Sequence, residues 1–506
     1  MNSVTRTAAL VVGAVGMLVA PLGVMKVLNG PDDPRLSVGA APPATLIPGD
    51  VRDATGRMVA GVVWTGLTAY DPRTGSTTLA AAESITSPDR KVWTVRLKAG
   101  GRFHDGSPVT ARSFTGAWTA VLREGWSGAR LFTDVARLKG AAPQKDGAEG
   151  LTVKDDLTFE VTLDRPLNGF PSLVAAPAFM PMPESVLRSR DWASYGRRPI
   201  GNGTFRVAAH GPRETVLERP NARTVVIKAM PDAARQYAAV EVGDLDVATE
   251  VPPDRHESMD TEFRNRHLTL PGLATTYLAF PAWAERFTPG LRQALSIAID
   301  RNAITEGALG YQATAANSLV PPGILPGHRE GQCRLCLHDP RAATAALTDA
   351  GGFTGTLTIW HEKADAEWVE DIAEQLRKVL TIDVQPRETT AAELRKALDE
   401  RKVDGPFVLH STAPYPAPVS ALRPLLEAPT GYDEARVTDL VEQAEAASTP
   451  EEGVIPARLA ESALLRDMPV MPLWTTHEHF VWSERTRTVT ADPFTGLRLD
   501  RLSLKD

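Results

Sequence analysis

Residues 91–125, KVWTVRLKAGGRFHDGSPVTARSFTGAWTAVLREG, constrain the fold more than any other stretch of the chain. The first part alternates in polarity, which predicts a half-buried strand. The apolar positions of that strand are Trp93, Val95 and Leu97. A turn follows, in which Gly106 is free to adopt a positive φ angle. The segment is therefore expected to form a strand, a tight turn and then a helix.

The predicted helix has recognisable ends and one apolar face. Thr110 is placed to N-cap it and Gly125 to end it. The apolar face recurs at helical spacing and comprises Phe114, Ala117, Trp118, Val121 and Leu122. Ser113 stands where the acid of a capping box is usual, so the reciprocal half of the box is expected to be missing.

The letters of this segment resemble the signature of a known family. The pattern W-T-V-R-L-K-x-G-x-x-F-H-D-G-x-P-V-T-A-x-x-F is similar to that of the family 5 solute-binding proteins, the oligopeptide- and dipeptide-binding receptors of ATP-driven importers. Further similar segments are residues 198–205 (RPIGNGTF), 291–301 (LRQALSIAIDR) and 469–474 (PVMPLW). The resemblance covers about residues 40–500.

The resemblance implies an α/β protein with a two-lobed, periplasmic-binding-protein type II-like fold and an extra inserted domain, hence three domains with mixed sheets. From residue 339 onward, alternating predicted helices and strands independently favour a parallel or mixed sheet with helices on both faces. The implied boundaries are 35–57, 182–273 and 474–506 for lobe I, 58–181 for the inserted domain and 274–473 for lobe II, with hinge segments near 273–282 and 470–478.

The resemblance also implies a receptor function. The lobes would close around a peptide-like or related small solute and deliver it to the permease and ATPase subunits of an importer. A monomer without a cofactor is expected. A membrane-anchored solute sensor of the same fold is one alternative. A hydrolase is disfavoured, because the chain lacks G-x-S-x-G, H-E-x-x-H, a phosphate-binding loop and paired carboxylates at useful spacing, so the prediction is that the protein is not an enzyme.

Residues 8–25 form an apolar run preceded by Arg6. Together with the following linker, this predicts that residues 1–34 are a signal peptide or a signal anchor, so membrane association through this segment is one option. No cysteine follows the run, so a lipid anchor is not expected. The protein is predicted to be exported and extracytoplasmic, either associated with the cell envelope or secreted. A net charge of −7 without a basic tract argues against nucleic acid as a partner.

Cys333 and Cys336 are the only cysteines. In an exported protein such a pair predicts a local disulfide. His328 and His338 flank the pair, so a zinc site is an alternative, but the second separated ligand pair of structural zinc sites is missing. A thioredoxin-like redox role lacks the βαβ pattern that would place the pair at a helix start. No metal site is therefore predicted.

The candidate ligand-binding residues follow from strand ends, because open α/β sheets bind ligands beyond the carboxyl ends of their strands. The strand predicted at residues 407–409 is followed by a predicted loop that would form a wall of the ligand site. The candidates in that loop are His410, Ser411, Thr412, Pro414 and Tyr415. Trp64, in the family-like segment VVWTGL, is a further candidate.

Pro414 marks a departure from the family. The resemblance implies a motif A-D-Y-x-D/E-P in peptide-binding members, whose first Asp pairs with the α-amino group of the peptide. This chain reads APYPAP over residues 413–418, so Pro414 takes the Asp position, and no acid lies between Asp404 and Glu427. Because a buried ammonium without a partner is costly, the pocket is expected to reject a free peptide N-terminus unless an acid from elsewhere takes over.

Two other polar clusters are interpreted structurally. His477 and His479 share one face of a predicted edge strand while Glu478 points away, and two such ligands are too few for a metal site. Asp300 and Arg301 are interpreted as a charged pair at a helix C-terminus rather than as catalytic groups.

Overall fold

The computed structural model describes residues 35–71, 76–220, 223–325 and 327–505. The predicted targeting segment, residues 1–34, lies outside the described residues. Within the described part of the chain, no helix is both long enough and apolar enough to span a membrane.

Strands and α-helices are labelled here in chain order. The strands are β1 (Leu36–Ala40), β2 (Thr68–Tyr70), β3 (Thr77–Leu79), β4 (Ala82–Thr86), β5 (Val92–Leu97), β6 (Leu151–Val153), β7 (Thr158–Thr162), β8 (Arg206–His210), β9 (Glu214–Arg219), β10 (Arg223–Ala229), β11 (Val247–Ala248), β12 (His267–Ala279), β13 (Ala313–Ala315), β14 (Thr356–Glu362), β15 (Asp383–Thr389), β16 (Phe407–Thr412), β17 (Val470–Trp482), β18 (Thr486–Thr488), β19 (Ala491–Asp492), β20 (Gly496–Leu497) and β21 (Ser503–Leu504). The α-helices are α1 (Ala54–Val63), α2 (Ala111–Glu124), α3 (Phe170–Leu173), α4 (Glu184–Ser189), α5 (Trp192–Arg197), α6 (Ala233–Glu241), α7 (His256–Phe263), α8 (Pro289–Ala298), α9 (Arg301–Glu306), α10 (Pro340–Asp349), α11 (Ala366–Leu380), α12 (Ala391–Asp399), α13 (Pro418–Leu426), α14 (Ala435–Ala446) and α15 (Pro450–Asp467).

In the described residues, the largest sheet has 11 strands, in the order β15-β14-β16-β12-β17-β11-β1-β10-β9-β8 with β13 paired to β17. β1 is parallel to β10 and β11, and β14 is parallel to β15 and β16. β12 and β17 pair antiparallel with each other and with their other neighbours. The sheet is therefore mixed. A separate four-stranded antiparallel sheet has the order β4-β5-β7-β6.

β12 and β17, each 13 residues long, form the centre of the large sheet. Their pairing shifts register between Pro271 and Thr275. At the shift the partner strand comes so close that a Cβ on Gly272 would stand 2.4 Å from the Thr476 carbonyl oxygen, which requires glycine. β1 and β8–β11 lie on one side of this pair and β14–β16 on the other. The predicted hinge segments overlap these two strands, and the hinge and the domain boundaries stay a prediction.

The segment 91–125 forms β5, a turn and α2, and the strand and helix faces predicted to be apolar are buried. Gly106 has a φ of 86°. Thr110 accepts a hydrogen bond from the Ser113 amide, and its own amide donates to Ser113 Oγ at 3.1 Å. The expectation of a missing reciprocal half is therefore wrong, because a serine hydroxyl reaches the cap amide as the usual acid would.

Asp300 and Arg301 are not a charged pair at a helix C-terminus, so that interpretation is wrong. Asp300 N-caps α9 by accepting from the Ala303 amide at 3.1 Å. Arg301 is buried and donates to backbone carbonyls of three separate segments. Ile299 and Asp300 have extended backbone conformations and separate α8 from α9, which is why the acid starts the second helix instead of ending the first.

Cys333 and Cys336 are joined by a disulfide with an S–S distance of 2.00 Å. The ring of His328 lies instead against the Val320 carbonyl, with Nδ1 2.6 Å from its oxygen, and His338 is exposed. Among the described residues, no three His, Cys, Asp or Glu side chains are arranged to hold a metal ion. The cysteines therefore have the geometry of the predicted disulfide rather than of a zinc site.

Candidate functional site

A cavity of about 560 Å³ lies beside the central strand pair, and we call it the cleft. It is bordered by α1, by β12 and β17, and by the turn after β16. Its walls are mainly apolar, with contributions from Val51, Trp64, Leu131, Met180, Leu273 and Phe494. Segments assigned by sequence to both lobes and to the inserted domain thus meet at one cavity. A concave, mainly apolar cavity with few polar groups is typical of a small-molecule site.

Trp64 reaches the cleft because α1 ends immediately before it. Asp53 N-caps the helix, and its side chain accepts from the Gly56 amide at 2.7 Å. It ends where the Trp64 amide donates to the Ala60 carbonyl at 3.1 Å. Trp64 is 3% exposed and lines the cleft.

The predicted loop after residue 409 begins later than expected. His410, Ser411 and Thr412 belong to β16, where they pair with Thr276, Thr275 and Ala274 of β12. The strand continues because β12 offers a full ladder of backbone partners at these positions. The prediction of a loop from His410 onward is therefore wrong, and the turn starts at Ala413.

The structure brings three of the six candidate ligand residues to the cleft: Trp64, Thr412 and Pro414. His410 lies elsewhere, with Nδ1 3.1 Å from Thr276 Oγ1 and Nε2 3.3 Å from an Asp365 carboxylate oxygen. Ser411 is likewise not part of the lining. Tyr415 is buried against the backbone of Gly169, and burial raises the pKa of its hydroxyl. Strand alternation places Ser411 on the face opposite Thr412. His410 shares the face of Thr412, but its ring is held by Thr276 and Asp365.

Three charged side chains line the cleft within the described chain: Arg57, Glu478 and Arg498. Arg57 Nη2 lies 3.4 Å from Glu478 Oε1. Arg498 is held by Asp500 through two hydrogen bonds of 3.0 Å. Burial raises the pKa of the Glu478 carboxyl, while the Arg57 charge opposes that shift. The turn that carries Pro414 adds no charge to this lining.

Sequence reasoning did not identify Arg57, Glu478 or Arg498 as site residues. Alternation along the strand does place Glu478 on the face opposite His477 and His479, which is the available signal. Its partner Arg57 lies 421 residues away in the chain, so no spacing rule connects the two.

The opposite face of β17 carries a histidine cluster. His477 and His479 line a second cavity of about 540 Å³ together with His256 of α7. The rings of His256 and His479 stack with centroids 4.2 Å apart. Burial and the neighbouring imidazoles lower the pKa of His479 to about 3. β17 lies inside the sheet, so the expectation of an edge strand is wrong, because β11 and β12 pair with it on either side.

A family model described as "Bacterial extracellular solute-binding proteins, family 5 Middle" matches residues 77–433, more than half of the chain. The chain is 30% identical over 260 residues to the periplasmic murein peptide-binding protein MppA of Escherichia coli K12, covering 46% of this chain and 47% of that protein. It is 26% identical over 357 residues to the glutathione-binding protein GsiB of Pectobacterium atrosepticum, covering 67% and 66%. The matched segments thus span about half to two thirds of these relatives.

Among solved structures, HbpA2 from Haemophilus parasuis superposes with a TM-score of 0.80 at 18% identity, covering 93% of this chain and all of that one. This likeness confirms the predicted fold class over nearly the whole chain. The family match likewise confirms the resemblance carried by residues 91–125. The chain belongs to family 5 of the bacterial extracellular solute-binding proteins.

Proposed function

We propose that this protein is the extracytoplasmic solute-binding component of an ABC-type importer. The observation that carries the proposal is the cleft beside β12 and β17, lined by segments of both predicted lobes. The family contains receptors rather than enzymes, and the protein is proposed to bind its solute without chemical change. It acts as a monomer that hands the solute to permease and ATPase subunits.

Closure of the two lobes is the proposed mechanism. Gly272, Leu273 and Ala274 line the cleft from β12, and Thr412 and Pro414 line it from β16 and the turn that follows. Other lining residues come from α1 and the inserted-domain segment 172–180. A solute that touches both sets of residues at once binds the closed arrangement more tightly than the open one, and this differential affinity drives closure.

The solute is proposed to be peptide-like but without a free α-amino group. The cleft walls are mainly apolar, and its one carboxylate in the described lining, Glu478, faces Arg57. Pro414 supplies no carboxylate at the position where the family resemblance implies an acid. An ammonium transferred into this cleft would lose its hydration without gaining a dedicated partner. A blocked or modified peptide avoids that cost.

Export is proposed to depend on residues 1–34, with the rest of the chain acting outside the cytoplasm. The family's extracellular solute-binding members support this placement. Anchoring by the same segment would keep the receptor beside its permease.

Native mass spectrometry of the purified chain tests the proposal. A solute that co-purifies at one copy per protein, and whose addition to stripped protein lowers the radius of gyration in small-angle scattering, is the expected result. Release of a chemically altered solute during incubation would show an enzyme instead. A stripped protein that binds none of a panel of blocked peptides and extracted envelope solutes, with an unchanged radius, would contradict the receptor function.

A further inference from the structure

Arg57 and Glu478 form the opposed charge pair of the cleft, and the following inference rests on the proposed function. We propose that this pair is the polar anchor of the solute and that it selects a neutral amide group. Arg57 lies on α1 and Glu478 on β17, so the two side chains approach the cleft from different elements. The pair would bind the N–H and the C=O of one extended residue of the solute, which point to the same side of the chain.

The pair is not saturated by its own interaction. The distance between Arg57 Nη2 and Glu478 Oε1 is 3.4 Å, longer than the 2.7–2.9 Å of a strong charge-assisted hydrogen bond. Each side chain is about one third exposed, at 32% and 31%. In the described part of the chain, this is the one hydrogen bond recorded for either side-chain group. Donors on Arg57 and an acceptor oxygen on Glu478 therefore remain available to a solute.

The third charged side chain of the lining, Arg498, is already neutralised by neighbouring carboxylates. Arg498 donates Nε and Nη2 to the two carboxylate oxygens of Asp500, each at 3.0 Å, and its Nη1 lies 3.7 Å from Asp492. The recognition surface is thus one cation and one anion side by side within apolar walls. Its net charge is zero.

That charge balance decides which polar group fits. A solute ammonium is attracted by Glu478 but repelled by Arg57, and a carboxylate experiences the reverse. Neutral backbone amides satisfy both, because the C=O of one extended residue can accept from Arg57 while the N–H of the same residue, on the same side, donates to Glu478. The amide also costs less to bring out of water into apolar walls than a charged terminus or a zwitterion. The anchor therefore favours amides over free termini.

The experiment measures preference rather than affinity alone. Three forms of one apolar tripeptide are titrated calorimetrically: blocked at both ends, with a free N-terminus, and with a free C-terminus. The proteins are the wild type, Arg57→Gln, Glu478→Gln and the exchange Arg57→Glu/Glu478→Arg. Arg52→Gln is the control, because Arg52 is 60% exposed, pairs with Asp50 and is not part of the cleft lining. Thermal melting of each variant reports its folding.

The wild type is expected to prefer the fully blocked peptide. Arg57→Gln leaves Glu478 without an opposing positive charge. The preference should therefore shift toward the peptide with the free N-terminus by about tenfold, which corresponds to one charge-assisted hydrogen bond. Glu478→Gln should shift it toward the free C-terminus by a similar factor. The exchange variant should restore preference for the blocked form.

Two results would overturn the inference in different ways. If the peptides bind but the ratio of affinities for the blocked and free-ended forms is the same in all variants as in Arg52→Gln, the pair only connects α1 to β17. The proposed function then survives. If none of the three peptides binds the folded wild type, the peptide-like solute of the proposed function is contradicted and the amide anchor is overturned with it.

Discussion

Arg301 Nε donates a 2.8 Å hydrogen bond to the carbonyl oxygen of Pro472, which joins α9 to the central strand β17. The same guanidinium donates to the carbonyls of Ser296 at 2.9 Å and Cys336 at 3.0 Å. Arg301 is 2% exposed, and burial lowers its pKa to about 9. The forked guanidinium of one side chain therefore hydrogen-bonds to the end of α8, to the disulfide loop and to β17.

Replacing Arg301 should destabilise the protein strongly. Arg301→Met leaves several buried carbonyl oxygens without donors and is expected to cost about 3 kcal/mol or more of unfolding free energy. Arg301→Lys should recover little of this loss, because an ammonium cannot reproduce the fork. Urea unfolding measures both, with the exposed Arg341→Met as the control. Equal stability of the Met variant and the wild type would show that water replaces the guanidinium.

Acidification should destabilise the histidine cluster. His479 is 8% exposed and its folded-state pKa is about 3, below the ordinary 6.5, so the unfolded chain binds a proton that the folded chain refuses. The free energy of unfolding is therefore unaffected by His479 above pH 6.5 and decreases as the pH falls from 6.5 toward 3. Near pH 5 the loss is about 2 kcal/mol. The imidazoles that oppose protonation of His479 are His256, His477 and His267. The carboxylates that line the same cavity are Asp53, Glu250 and Glu478.

Urea unfolding of the wild type and His479→Gln at pH 7.5 and 5 checks this prediction. The variant should lose less stability on acidification than the wild type, whereas His338→Gln, at an exposed position, should behave like the wild type. An identical pH dependence for all three proteins would refute the assigned role of His479.

Gly106 should be required for folding rather than for binding. Its φ of 86° is left-handed, and no heavy atom lies within 4 Å of an added Cβ, so Gly106→Val is penalised by backbone strain alone. A loss of about 2 kcal/mol is expected. Gly211→Val is the matched control, because its Cβ also meets open space without a positive φ. Selective loss of solute binding at normal stability would contradict the prediction.

The disulfide should contribute little to global stability. Cys333 and Cys336 are three residues apart, so the closed loop is very short. Replacing both cysteines with serine removes the disulfide and should cost at most about 2 kcal/mol. Mass spectrometry of the native protein should find no alkylatable thiol. Two free thiols in exported protein would disprove oxidation of the pair.

Local patterns predicted local structure, and long-range pairing determined the rest. The caps at Thr110 and Gly125 and the buried face of α2 follow from side-chain chemistry within one segment. The extension of β16 through Thr412 depends on the partner strand β12, which lies more than a hundred residues earlier. The candidate site divides in the same way. Pro414 could be identified as a site residue from a sequence motif. The contact between Arg57 and Glu478 could not, because it depends on how α1 is placed against β17.

Pro414→Asp should give the cleft the acid that it lacks. Pro414 lines the cleft, and proline has no N–H to lose, so the substitution removes no backbone hydrogen bond. The wild type is expected to bind an N-acetylated peptide more tightly than the same peptide with a free amine. The new carboxylate should shift that ratio toward the free amine by about tenfold, because a desolvated ammonium gains a charged partner. Pro414→Asn is the control of similar size without the charge and should keep the wild-type ratio. A wild type that already prefers the free amine would show that another residue supplies the partner and that Pro414 does not set this specificity.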